Sequence, residues 1–395
     1  MAGRDATVWA PTKLKVGSFD KIGVLVAKVG PAGELLLQSI RWGIFGTGPV
    51  AEKFVLALKS LPGASVELVV SRTATKAEAF AERHRVPIVR TQYVLEPTDP
   101  VDIVYIATPP SEHVTHALAA IAAGKAVLIE KPFAATRADA ARIIEAARAA
   151  GVFCMEAMWT RFLPAVAKAR QLLADGAIGE VRSLWASFAV PQRVEPATSL
   201  FSQASGGGAL AHRGVYPTSL ALDLLGPAHL AGATVQIGAT GVDEDVSAML
   251  IHAAGAVSHV HAGLRSQADN TLVILGDHGR LAFQGPIYRP TGVVLTRSLP
   301  RGPERFSQGL IARLKETSAA QAMRAHLASL LARPHVYAAP YLGNGYGHEA
   351  LAAMAAMRAG ELEHTGMSHA DTLATAELLD QIRGSWRTTG RSEGG

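Results

Sequence analysis

Ile40-Arg41-Trp42-Gly43-Ile44-Phe45-Gly46-Thr47-Gly48-Pro49-Val50-Ala51 is the stretch on which the fold turns. The apolar run 40–45 predicts a strand, and it ends in Gly-Thr-Gly-Pro. Pro49 suits the first turn of a helix, where its missing N–H would be unpaired in any case. Ala51, Phe54, Val55 and Leu58 continue that helix as an i, i+3, i+4, i+7 stripe. The spacing is therefore GxGxxA between a strand and a helix. The first glycine permits the tight turn, the second lets the backbone approach a pyrophosphate, and the small last residue allows close helix packing. The helix start offers free N–H groups and a partial positive charge to that phosphate. A purely structural glycine turn is the rival reading. The strand–turn–helix context, the place at the start of a domain and the βαβ rhythm that follows favour dinucleotide binding by Gly46, Thr47, Gly48, Pro49 and Val50.

Outward from this motif, apolar runs at 65–70, 101–107, 126–129 and 152–157 alternate with helical patterns at 76–84, 111–123 and 137–150. Strands and helices in alternation predict a parallel sheet covered on both faces, an α/β Rossmann domain. Past residue 164 the rhythm changes. A helix at 165–174, a strand at 181–190 and a helix at 208–225 precede successive short strands at 234–237, 246–252, 256–264, 271–275, 281–283 and 293–296. Turns such as Gly276-Asp277-His278-Gly279 separate them and predict an antiparallel meander. Helices at 347–358 and 371–383 complete a C-terminal α/β domain with an open, mostly antiparallel sheet. The predicted division is 1–39 as an N-terminal extension, 40–163 as the dinucleotide-binding domain, and 164–395 as a substrate-binding and oligomerisation domain.

Composition narrows the function. The chain has 395 residues, 49% hydrophobic and 18% charged, enough to bury a core in two domains without disulfides. Lys and Arg number 38 against 33 Asp and Glu, and the surplus of +5 is spread along the chain. That pattern argues against nucleic acid and weakly for small anionic ligands. Cys154 is the one cysteine, in the apolar run Val152-Phe153-Cys154-Met155, and reads as a buried structural thiol in a reducing compartment. No apolar run approaches the roughly 20 residues of a membrane span, and no apolar h-region marks a secretory signal. A cytoplasmic protein is the expectation.

The end of the second predicted strand selects between cofactors. An NAD enzyme usually has Asp or Glu there to accept from the ribose 2′-OH. Here the residues are Ser71-Arg72-Thr73, with no carboxylate and one guanidinium. Arg72 can pair with a 2′-phosphate and stack on adenine, so NADP is predicted over NAD.

The segments 41–51, 123–134 (AGKAVLIEKPFA), 155–165 (MEAMWTRFLPA), 206–217 (GGGALAHRGVYP) and 343–350 (GNGYGHEA) occur in this order. With them the chain resembles the Gfo/Idh/MocA oxidoreductases over nearly all of residues 40–385, closest to the branch of dimeric dihydrodiol dehydrogenase and NADP-dependent D-xylose dehydrogenase. The resemblance implies that Lys131, in Glu130-Lys131-Pro132, is the active-site lysine, and that Tyr216 exchanges a proton with substrate. Glu130 ends a predicted sheet strand, at the carboxyl edge where such sheets bind ligands, and Trp159 and Arg161 fall where the branch has substrate-pocket residues, although packing the hinge between domains is the favoured reading of Arg161. Thr108, Pro109 and His113 follow the end of the fourth predicted strand and are expected by the cofactor, and Arg213 adds a positive charge by the substrate. Where the family usually has an aspartate four residues before that tyrosine, this chain has His212. His212 and Tyr216 share a helical face. The imidazole either joins the proton relay, giving an ionisation near neutral pH, or fills space.

The implied reaction is reversible hydride transfer between nicotinamide and a CH–OH carbon of a sugar or vicinal diol. The alternative is an NADP-binding protein with weak or repurposed catalysis, made so by His212. No metal is expected: neither His113 with His116 nor His259 with His261 has an Asp, Glu or Cys at ligand spacing. Apolar residues facing both ways at Ala248, Met249, Leu250 and Ile251 predict a covered sheet face, and the resemblance points to a homodimer through it.

Overall fold

A computed structural model describes residues 39–298, 317–323 and 334–389. The predicted extension 1–39 lies, but for Ser39, outside the described residues.

Six strands, β1 (Ile40–Phe45), β2 (Ala64–Val70), β3 (Ile88–Arg90), β4 (Ile103–Ile106), β5 (Ala126–Glu130) and β6 (Cys154–Ala157), form one sheet in the order β3-β2-β1-β4-β5-β6. Every pair is parallel. The short strand β3 was not anticipated. Alternation sorts each strand's side chains between two cores. Trp42, Ile44, Ile103, Tyr105 and Leu128 join the core that holds Phe54 and Val55 of helix Pro49–Leu58. Phe45, Val104, Ile106, Val127 and Ile129 face the other way, against Ile121, Ile143 and Ile144. Each such side chain contributes about 1.5–3 kcal/mol by leaving water, so both sheet faces must be covered by helix. Phe54 stacks on Tyr105 at 3.7 Å, which sets helix Pro49–Leu58 flat on the sheet. Helix Arg137–Ala150 starts where the Thr136 hydroxyl accepts from the Asp139 N–H and stops at left-handed Gly151.

The last strand of this sheet does not end in solvent. The Cys154 N–H donates to the Leu362 carbonyl at 2.9 Å, and His369 Nε2 lies 3.0 Å from the Cys154 carbonyl. His369 opens the final helix, His369–Thr389, which also packs on helix Arg137–Ala150. The backbone N–H and carbonyl of Cys154, which an edge strand would expose, are thus paired. Cys154 is buried as predicted.

The second sheet comprises β7 (Val181–Ala189), β8 (Ala228–Ile237), β9 (Asp243–His252), β10 (Val257–Gly263), β11 (Leu272–Gly276), β12 (Gly279–Gln284), β13 (Gly292–Arg297) and β14 (His335–Ala338). Its order is β14-β13-β12-β11-β7-β10-β9-β8. The predicted meander is interrupted: β7 is inserted between β10 and β11, parallel to β10 and antiparallel to β11. All other pairs are antiparallel. Leu184, Ala186, Val246, Ala248, Leu250 and Val260 point into the core, under helix Val215–Leu225. Trp185, Ser247, Met249, His259 and His261 point outward, with Trp185 stacked on His259 at 4.0 Å.

Candidate active site

Parallel strands bring all their carboxyl ends to one edge, and the predicted cofactor residues collect there. The Gly46 N–H donates to the Val70 carbonyl, and the Ala107 N–H donates to the Phe45 carbonyl. Gly46 has φ +103°, and a Cβ on it would lie 2.6 Å from the Ala107 carbonyl oxygen. The turn therefore requires glycine. A Cβ on Gly48 would meet nothing within 4 Å, so that glycine keeps open a space beside the helix start. Helix Pro49–Leu58 has no side-chain cap, leaving its first N–H groups facing that space. Glu52 in its first turn is drawn away by Arg83 and by His84. The Thr47 hydroxyl donates to Ser71 at 3.3 Å, joining the ends of β1 and β2. Arg72 is exposed just beyond, near enough to Tyr93 to oppose the upward push of burial on that phenol. Tyr93 stacks on His116 at 3.9 Å, giving Arg72 an aromatic neighbour that the sequence reading missed.

His113 was predicted beside the cofactor. Its ring is buried beneath that edge, with Nδ1 3.0 Å from the Pro132 carbonyl and Nε2 2.9 Å from the Thr108 carbonyl. Both nitrogens face backbone carbonyls, to one of which the neutral ring donates, and the residue lies between the loop after β4 and the turn after β5. Burial lowers it to about 4, so the ring is neutral at pH 7. Thr108 is buried too, its hydroxyl 3.0 Å from His116 Nδ1, while Pro109 is half-buried.

Glu130 and Lys131 follow at the end of β5. The Tyr105 phenol donates to Glu130 Oε1, and the Lys131 backbone N–H donates to Oε2 at 3.2 Å. Burial pushes the Glu130 carboxyl up, while Lys131 and these hydrogen bonds pull it back. The Lys131 ammonium reaches across to the segment that precedes helix Val215–Leu225. It donates to the His212 carbonyl at 3.3 Å and lies 5.1 Å from the centre of the Tyr216 ring. Burial lowers Lys131, Glu130 and Glu156 raise it, and Arg213 lowers it further.

Local backbone explains why the His212 carbonyl is available. Leu210–Gly214 is a π-helical turn. The residue five positions after His212 is Pro217, which has no N–H to give. The start of this turn is held by Asp243, whose Oδ2 accepts from the Leu210 N–H at 2.6 Å. That carboxylate occupies the place of a side chain on Gly208, which has φ +121°. Burial pushes Asp243 up to about 6 against the pull of these N–H groups.

Three assignments change here, and for Arg161 the hinge is the position found. His212 does not titrate near neutral pH: burial first, then Lys131 and Arg213, lower it to about 3, and its Nε2 is buried with no hydrogen-bond partner. Arg213 is held by backbone and an aromatic ring. Its guanidinium donates to the Val190 and Gly263 carbonyls and lies over Phe188, pinning the turn to the ends of β7 and β10. Trp159 offers no free face: its ring stacks on Tyr346 at 4.6 Å, and its Nε1–H donates to the Tyr216 phenol oxygen at 3.1 Å. Arg161 is fully buried at the hinge, donating to the Ser219 hydroxyl and carbonyl at 2.8 Å each and pairing with Asp371 at 3.2 Å. Arg213 and Arg161 take backbone, hydroxyl and carboxyl groups and Trp159 takes a phenol, choices that only tertiary neighbours determine.

Tyr216 is brought to Lys131 as expected, but as a neutral phenol. Burial pushes it well above its ordinary value, and the Trp159 N–H only partly offsets this. Glu349 was missed. It is fully buried near Glu130 with neither oxygen hydrogen-bonded, and burial pushes its carboxyl far up. Tyr346, Glu349, Ala350 and Ala353 are all buried. That i, i+3, i+4, i+7 stripe could have exposed the misplaced acid from sequence. Among the described residues no group of three or more His, Cys, Asp or Glu could hold a metal. No described helix is long and apolar enough to cross a membrane.

A GxGxxA turn on a 3-2-1-4-5-6 parallel sheet, with a half-buried lysine reaching from its edge to the turn that precedes helix Val215–Leu225, defines a Rossmann-type oxidoreductase. Residues 40–158 match the family described as "Oxidoreductase family, NAD-binding Rossmann fold", and residues 166–282 match the "GFO/IDH/MocA C-terminal domain". The chain belongs to the Gfo/Idh/MocA oxidoreductase family. It is 34% identical to mouse trans-1,2-dihydrobenzene-1,2-diol dehydrogenase over 264 residues, covering 65% of this chain and 78% of the relative. The zebrafish protein of the same name is 28% identical over 357 residues, covering 88% and 96%. Among solved structures, KijD10, a 3-ketoreductase from Actinomadura kijaniata in complex with NADP and TDP-benzene, is similar with a TM-score of 0.74 and 27% identity, over 88% of this chain and 98% of that one.

Proposed function

We propose that the protein is an NADP(H)-dependent oxidoreductase that moves a hydride between nicotinamide and a CH–OH carbon of a sugar or vicinal diol. The observation that carries the reading is the meeting of Lys131, from the end of β5, with Tyr216 and the His212 carbonyl. The relatives named for diol oxidation and sugar ketoreduction support the substrate class. The division at residues 40–163 and 164–395 would then separate cofactor from substrate binding, and a cytoplasmic location suits the single buried thiol.

The edge fits a dinucleotide. Gly48 leaves room for a pyrophosphate at uncapped N–H groups, and Arg72 has no carboxylate within ion-pair distance among the described residues. The cofactor, when bound, supplies the hydride acceptor or donor. The protein's share is to hold the substrate oxygen and move its proton. Tyr216 donates a hydrogen bond to that oxygen. Lys131, lowered by burial, is better suited than the raised phenol to exchange the proton.

Two variants test cofactor placement. Gly48→Ala should leave stability within about 0.5 kcal/mol, as an unobstructed surface change does. Its methyl group would still stand where the pyrophosphate must approach, weakening NADP roughly tenfold. Unchanged NADP affinity would remove the phosphate from this turn. Arg72→Ala should weaken NADP by roughly tenfold to a hundredfold, the scale of a charge-assisted hydrogen bond, while NAD stays within about twofold. Equal weakening of both would refute the 2′-phosphate assignment. Binding without turnover on a panel of aldoses and diols would favour the weakened family member instead.

The outer face of the second sheet should join two subunits. Trp185 is 52% exposed and Met249 40%, beside a groove of about 640 Å³ that also includes Gly232, Thr234 and His259. Light scattering at micromolar concentration should give the mass of a dimer; a monomer would overturn this arrangement.

A further inference from the structure

Two buried carboxyl groups hold the backbone on either side of Lys131. Glu130 accepts from the Lys131 N–H at 3.2 Å, and Glu156 Oε1 accepts from the Phe133 N–H, also at 3.2 Å. The second of these reaches the turn from another strand. Glu156 lies on β6 opposite Ile129, one pair before the end of β5. Its own carbonyl accepts from the Met158 N–H at 2.9 Å, so its backbone is fixed where β6 turns away. The carboxyl group is buried, and Oε2 has no hydrogen-bond partner. A carboxylate in such a place persists only where positive charge answers it. Burial pushes the Glu156 carboxyl up to about 7. Arg161, the Phe133 N–H and Thr372 of the final helix pull it back, and Glu130 pushes it up again. It is therefore ionised in the alkaline range where a lysine gives up its proton. Burial lowers the Lys131 ammonium, Glu130 and Glu156 raise it, and Arg213 lowers it. His212 and Tyr216, which also border it, are neutral. The carboxylate that grips the turn after β5 is thus also one of the two that act on the lysine's charge.

We infer that Glu156 is a positioning residue for Lys131: through the Phe133 N–H it fixes the turn that carries the lysine, and it supplies negative charge to the ammonium. It acts through Lys131 and not on the reacting atoms. Its part in turnover rests on the oxidoreductase reading above, whereas the coupling of the two charges does not.

Two variants separate the hydrogen bond from the charge. Glu156→Gln keeps an oxygen for the Phe133 N–H and removes the charge, and Glu156→Leu removes both. The lysine can be followed directly by nuclear magnetic resonance of protein labelled with carbon-13 at lysine Cε, where the Lys131 signal is the one lost in Lys131→Met. In Glu156→Gln that signal should titrate at least about half a pH unit lower than in the unaltered protein, because a neighbouring opposite charge has gone. The rising limb of NADP reduction by D-xylose or trans-cyclohexane-1,2-diol should move down in pH with it. Glu156→Leu should lower the plateau kcat roughly tenfold to a hundredfold, since a buried N–H is left unpaired and the turn is released. Glu156→Gln should restore most of that loss. An unmoved or higher Lys131 midpoint in Glu156→Gln would overturn the inference, as would a folded Glu156→Leu protein with the unaltered rate. Should Glu156→Leu fail to fold, the titration of Glu156→Gln decides alone. The expected shift of the Lys131 signal with no turnover of either probe would instead sink the oxidoreductase reading and leave the pairing of Glu156 with Lys131 standing.

Discussion

Lys131→Met should lower kcat/KM by roughly 10²–10⁴-fold, the usual contribution of a positioned acid–base group, with the fold and NADP affinity kept. Methionine preserves the length of the stem that crosses to helix Val215–Leu225 but cannot donate to the His212 carbonyl or hold a proton. The pH profile gives a second readout. Burial lowers the ammonium, so its neutral form begins to be populated below the ordinary lysine range. Alcohol oxidation needs that neutral form to accept the proton, so the rate should climb as pH rises toward the Lys131 value and lose this slope in Lys131→Met. His212→Asn should leave the profile between about pH 5.5 and 8 unchanged, because the ring, lowered to about 3, is neutral throughout that window. A Lys131→Met enzyme retaining more than half its activity would exclude the lysine from proton transfer.

Arg161→Ala should cost about 3–5 kcal/mol of stability, the range found when one partner of a buried ion pair is removed. The guanidinium satisfies the Ser219 hydroxyl and carbonyl and the Asp371 carboxylate together, and all three lose it at once. Arg161→Lys should recover only part of the loss, since an ammonium cannot reproduce the planar fork. Acid dependence carries a signature. Burial pushes Asp371 up, but Arg161 and Ser368 more than offset this and hold it below its ordinary value. A carboxyl depressed in the folded state contributes stability above its unfolded value, and the contribution disappears as pH falls through the folded value. Arg161→Ala should therefore flatten the acid limb of stability against pH. Urea unfolding midpoints measured from neutral to acid pH would show it, and a loss under about 1 kcal/mol would mean that the charge is solvated after all.

The cofactor edge was legible in the sequence because its chemistry is backbone chemistry. Gly46, Gly48 and Pro49 act through dihedral range, absent side chains and an absent N–H, all local properties. The ends of the Rossmann strands then place Ser71, Thr108 and Lys131 on one edge without further information. Side-chain direction was not legible. Trp159, Arg161 and Arg213 fall on the predicted elements, yet each is claimed by a group distant in sequence: Tyr216, Asp371, and the Val190 and Gly263 carbonyls. The insertion of β7 into the second sheet was hidden for the same reason, because strand order depends on partners and alternation reports only faces. The pKa of His212 was beyond reach of the sequence too. It follows from desolvation and from cations that meet the ring only after both sheets dock.

The pairing of Cys154 with His369 bears on how the polypeptide is made. The two residues are 215 positions apart, and a similar distance separates Arg137 from Asp380 and Ala135 from Arg383. A chain leaving the ribosome exposes β6 long before the helix that shields it has been translated. During that interval the nascent sheet offers an open strand to any neighbour able to pair with it. Only release of residues 362 onward closes this opening, so a ribosome stalled ahead of Leu362 would hold the Rossmann half with that strand uncovered.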